Sequence, residues 1–124
     1  MKTARGVMLD MAFVARSLHD WILQLSGVSE HPHRFGGTEY RVKGLEFMHS
    51  HGPTYLDIRL SMDDQKSVLE TKRAEPHRFA PGAGWVTFRI RSDRDVEVAK
   101  ELVMLAYNNA ERTMRDHELR RRAE

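Results

Sequence analysis

No cysteine occurs in the 124 residues. That excludes disulfide frameworks, thiolate zinc sites and cysteine nucleophiles, and gives no sign of an oxidising compartment. Long apolar runs are missing as well. Nothing approaches the roughly 18 apolar residues of a membrane-spanning helix, and Asp10, Arg16, His19 and Asp20 break up the N-terminal segment that a secretory signal would need. Charge of one sign is scarce: 20 Lys and Arg against 18 Asp and Glu leave a formal +2. So small an excess does not predict a nucleic-acid partner. A soluble, cytoplasmic protein with no membrane partner is the expectation.

What is present suits one folded unit. The apolar fraction is 40% and the charged fraction 31%, a globular composition at the commonest single-domain size, so residues 1–124 are read as a single α+β domain. Val7, Met11, Val14, Leu18, Trp21, Ile22 and Leu25 recur at spacings of three and four, which predicts an amphipathic helix stopped near Gly27. Residues 29–37 break every period and read as a loop or an irregular entry to a strand. Thr38–Val42 and Leu45–His49 alternate around Lys43-Gly44, a hairpin signature. Tyr55–Leu60 forms a third strand, with Leu56, Ile58 and Leu60 on one face and Tyr55, Asp57 and Arg59 on the other.

Ser61 and Asp64 open a surface helix running to about Arg73. Pro76 to Gly84 reads as loop, and Trp85–Arg91 as a strand with Val86, Phe88 and Ile90 inward. A last helix carries Val96, Ala99, Leu102, Val103, Ala106 and Ala110 on one stripe and ends in a charged, frayed tail over 113–124. The order α-β-β-β-α-β-α predicts an antiparallel sheet of three to four strands covered by the N- and C-terminal helices. No internal repeats and no dividing linker are read.

Histidine is the unusual residue. Five of the seven lie between positions 31 and 77: His31, His33, His49, His51 and His77. Two pairs have the spacing His-x-His, and residues two apart on extended backbone point the same way. Imidazoles so placed, with a carboxylate such as Asp57, suit a transition metal. They equally suit a metal-free polar pocket or separate solvated roles, and the metal-free pocket, with no cofactor, is the reading adopted. Trp85 lies on the polar face of its strand, where an aromatic can floor such a pocket or pack under a loop. Gly82-Ala83-Gly84 lacks the lysine and helix of a phosphate loop.

Taken together, His31-Pro32-His33-Arg34-Phe35-Gly36-Gly37, His49 and His51 before Gly52, Asp57, Ala74 then His77, and Gly84-Trp85-Val86-Thr87-Phe88 resemble the luciferase-like domain family over about residues 28–110. That family comprises the fungal luciferase domain and small bacterial proteins. The stretch from Gly82 to Phe88, with Tyr107, also resembles the MmcQ/YjbR-like fold. For its fungal members the resemblance implies cofactor-independent oxygenation of a hydroxypyrone luciferin. Its matched polar positions are His31, His33, Arg34, Glu39, His49, His51, Asp57, His77 and Trp85. The sequence departs from the family at Ala83, often serine there, and is much shorter than the fungal enzymes, so light emission is not expected.

The leading expectation is a small organic ligand in a histidine-rich pocket. His49, His77 and His31 are the candidate catalytic residues, and His33, Arg34, His51, Asp57 and Trp85 the candidate ligand contacts. In the enzymatic version one histidine is the base toward an acidic enol or phenol, and Arg34 or a second histidine stabilises the oxyanion. The rivals are a non-enzymatic homodimeric module built on the terminal helices and a weak nucleic-acid binder using Arg115, Arg120, Arg121 and Arg122.

Overall fold

The computed structural model describes residues 10–79 and 81–124. Val7 of the first stripe and Ala80 of the Pro76–Gly84 stretch lie outside the described residues. Helix α1 (Met11–Leu23) starts where Asp10 accepts a hydrogen bond from the Phe13 N–H at 3.1 Å. It buries Val14, Leu18 and Ile22, the centre of the expected stripe. Strands β1 (Val28–Pro32), β2 (Thr38–Val42), β3 (Leu45–Ser50) and β4 (Tyr55–Arg59) follow. Then come α2 (Met62–Glu70), β5 (Glu75–Pro76), β6 (Trp85–Arg89) and α3 (Asp93–Ala123).

The sheet has six strands in the order β1-β2-β3-β4-β6-β5, and every pairing is antiparallel. The expected antiparallel α+β class therefore holds, but the strand count and element order need correcting. Residues 28–32 and 75–76 form two edge strands that the expected count of three to four did not include. Neither shows apolar alternation because an edge strand beside a polar face has little to bury, and each ends in a proline, which only an edge tolerates. Helix α2 stops at Glu70 rather than Arg73, with Lys72 at φ 58° reversing the chain.

The β2–β3 turn is confirmed in its chemistry. Lys43 and Gly44 both have positive φ, 52° and 83°, and Val42 pairs with Leu45, the geometry of a two-residue type I′ hairpin. Strict alternation along β3 is not. Tyr40 pairs with Met48 but Arg41 with Glu46, so Phe47 is an extra residue in a β-bulge. Phe47 and Met48 are consequently both fully buried.

One face of the sheet carries the core. Tyr40, Val42, Met48, Leu56, Ile58, Val86 and Phe88 pack with α1 and with Ala99, Leu102, Val103, Ala106 and Ala110 of α3. At roughly 25 cal/mol per Å² of apolar surface removed from water, such residues dominate the favourable side of folding. No helix among the described residues is long and apolar enough to cross a membrane.

Candidate functional site

The register builds a polar row across the other face. His31 pairs with Glu39, Glu39 with His49, His49 with Asp57, Asp57 with Thr87, and Thr87 with Glu75. Directly opposed residues share a face, so one row spans every strand. At its centre is Asp57, 3% exposed. Its Oδ1 accepts from the Thr87 hydroxyl at 2.7 Å and its Oδ2 from His49 Nε2 at 2.9 Å. His51 Nε2 and His77 Nε2 each stand 3.5 Å from that same Oδ2. Three imidazoles from two distant parts of the chain thus converge on one carboxylate oxygen.

The imidazoles are not equivalent. His49 Nδ1 faces Glu46 Oε2 at 2.9 Å while its Nε2 faces Asp57. Burial disfavours its charged form, but the hydrogen bonds to Asp57 and Glu46 and the charges behind them outweigh this and push its pKa up to about 9. His49 is therefore an imidazolium at neutral pH. For His51 the balance reverses: burial, then the positive charge of His49, lower its pKa below 6.5 and keep it neutral. Burial pushes Asp57 upward, yet the hydrogen bonds from His49 and Thr87 leave its carboxyl below the ordinary range.

His77 Nδ1 accepts from the Phe79 backbone N–H at 3.0 Å, which in the neutral ring puts the proton on Nε2. His33 stacks on His49 with ring centroids 4.0 Å apart, and its Nδ1 meets Glu39 Oε1 at 2.9 Å. That bond, aided by Arg41 Nε at 2.6 Å, holds Glu39 below the usual carboxylate range despite its burial.

Above this floor lies a cavity of about 590 Å³ lined by His33, Arg34, His49, His51, Asp57, His77 and Trp85, with Phe35, Tyr55, Arg78 and Phe79 completing its walls. The volume is that of a site for a small organic molecule. His31 is not part of it. It belongs to the polar row, but on the edge strand, where its Nε2 turns to Ser29 Oγ at 2.9 Å. Glu46 is in direct contact with His49 yet drew no attention in the sequence, because regular alternation assigns it to the face opposite His49 and only the bulge at Phe47 brings both to one side. Tyr55 and Thr87 share faces with Asp57 and Trp85 and were readable from alternation alone.

Three donor sets among the described residues could hold a divalent cation on distance grounds, His33/His49/His51, His49/Asp57/His77 and His33/Glu39/Glu46. Their protons argue otherwise. Both His49 nitrogens face carboxylates, His77 already accepts at Nδ1, and the His33 and His49 rings lie nearly parallel. In the third set Glu39 is already engaged by His33 and Arg41, and Glu46 by His49. As arranged here, these side chains fit a proton network better than a metal.

An antiparallel α+β sheet with helices on one face and a histidine–carboxylate cavity on the other defines the class. The Luciferase domain family model matches residues 44–106, just over half of the chain, and the protein belongs to that family. No curated protein matches it. The matched segment begins within the hairpin turn, at Gly44, and contains His49, His51, Asp57, His77 and Trp85, whereas His33 and Arg34 lie before it.

Proposed function

We propose that the cavity binds a small organic molecule bearing an acidic enol or phenol, and that His51 accepts its proton. One observation carries this reading: three histidines meet at a single oxygen of the buried Asp57, and their surroundings push His49 toward the charged form and His51 toward the neutral one. Neighbouring titratable groups pushed apart by their surroundings mark acid–base assignments in enzymes. His49 supplies positive charge beneath the ligand, since its own N–H groups are committed to Asp57 and Glu46. That positive charge is what suits a developing oxyanion on the ligand. An electron-rich enolate or phenolate formed this way is the species that oxygenation without a cofactor requires, the chemistry implied for fungal members of the family.

Titration with 4-nitrophenol, whose absorbance reports its ionisation, tests the reading. Saturable binding is expected, with a larger ionised fraction than in protein-free buffer of the same pH, and His51→Gln is expected to remove that excess. Absence of any saturable change would overturn the pocket assignment. An undiminished excess in the variant would overturn the base.

A further inference from the structure

A tetrapeptide occurs twice in this chain: Pro32-His33-Arg34-Phe35 and Pro76-His77-Arg78-Phe79 are identical. It is too short to register as a structural repeat, and its significance appears only in the sheet. Pro32 ends β1 and Pro76 ends β5, the two edge strands. Pro32 pairs with Thr38 and Pro76 with Val86, positions one step from the polar row, so the next residue in each copy emerges on the polar face. His31 and Glu75, the two ends of that row, stand two residues before His33 and His77. Five successive antiparallel pairings leave β1 and β5 running in opposite directions. The two copies therefore enter over the cavity from diagonally opposed corners, related by a local pseudo-twofold between β3 and β4.

Each copy makes the same contribution. The histidine turns inward, with side-chain exposures of 17% for His33 and 13% for His77. The Arg-Phe pair follows at the mouth, where Phe35 is 98% and Phe79 86% exposed although both line the cavity. Phe35 also holds a left-handed φ of 58°, a conformation that costs a non-glycine residue about 1 kcal/mol or more. An exposed aromatic held at that cost is hard to account for by folding alone. Neither Arg34 nor Arg78 has a carboxylate partner among the described residues; the Arg78 guanidinium lies 5.9 Å from the Phe79 ring centroid.

We infer that the two Pro-His-Arg-Phe segments are the jaws of a clamp for a planar organic acid. Arg34 and Arg78 take its ionised acid group at the mouth, and Phe35 and Phe79 close on its flat body. Guanidinium is the side chain suited to carboxylates and other oxyanions, and an aromatic pair suits a flat conjugated skeleton. This rests on the ligand pocket proposed above and adds a requirement, a charged acid group distinct from the enol or phenol that faces His51.

The experiment compares 2-naphthoate with its neutral isostere 2-naphthamide by fluorescence titration at low salt. Naphthoate is expected to bind about tenfold or more tightly, one charge-assisted contact being worth about that factor. Arg34→Gln and Arg78→Gln are each expected to reduce the preference, the double variant to abolish it, and added salt to narrow it. Both arginines are exposed, so unchanged thermal midpoints should accompany these losses. Equal binding of the two probes, or a preference surviving in the double variant, would overturn the clamp while leaving the pocket intact. Binding of neither probe would overturn the clamp together with the pocket on which it rests.

Discussion

Asp57 is buried, ionised and accepts from Thr87 and His49, so its stability contribution depends on its neighbours keeping their protons. His49 has its pKa raised from 6.5 to about 9. A raised pKa means that its contribution is complete below pH 6.5 and lost as pH climbs through about 9. Asp57 works in the opposite sense, its contribution present above the ordinary carboxylate value and lost as pH falls through its lowered one. The thermal midpoint should therefore decline between about pH 7 and 9 in the wild type, and His49→Gln should flatten that decline. The same substitution strands Asp57 and Glu46 without their cation and is expected to cost about 3 kcal/mol in urea denaturation. A cost below about 1 kcal/mol, the worth of an exposed pair, would show the network to be solvated. The imidazoles themselves were visible in the sequence as a cluster; their charge states were not, because these depend on carboxylates brought in by strand pairing.

Elements in this fold take their shape from a few backbone positions. Gly44 completes the β2–β3 turn at φ 83°, where an L-residue is disfavoured, so Gly44→Ala is expected to destabilise by about 1 kcal/mol with the site unchanged. Gly84 is a harsher case: at φ 92° a Cβ would run into the Leu60 carbonyl, the neighbour whose N–H bonds Gly84 O at 2.9 Å. Gly84→Ala is expected to cost more than Gly44→Ala, by about 2 kcal/mol or above, since backbone must move as well as strain be borne. Equal midpoints for the two variants in parallel denaturation would contradict this. Periodicity found α1, α3, the hairpin, β4 and β6, all of which bury one apolar face. It passed over β1 and β5, whose residues are largely exposed, and it misassigned Glu46, because one inserted residue at Phe47 inverts the alternation beyond it.

Across the molecule, core and site occupy opposite faces of one sheet, and α3 outruns both. Its last buried residue is Ala110, and beyond Thr113 the one ion pair that links it to the rest of the fold among the described residues is Lys43–Glu118 at 3.8 Å. Such an exposed pair is worth about 0–1 kcal/mol, so a chain ending at Thr113 should unfold within a few degrees of the whole protein. A loss of cooperative unfolding would show that the tail carries core contacts. The sequence by itself determined the helices, the four inner strands and the polar identity of one strand face, since these follow from local periodicity and turn chemistry. Only tertiary structure decided that His33, His49, His51 and His77 share a cavity while His31 does not, and that two copies of one tetrapeptide face each other across it. Convergence of that kind depends on register and strand order over the whole sheet, and no local stretch of residues encodes it.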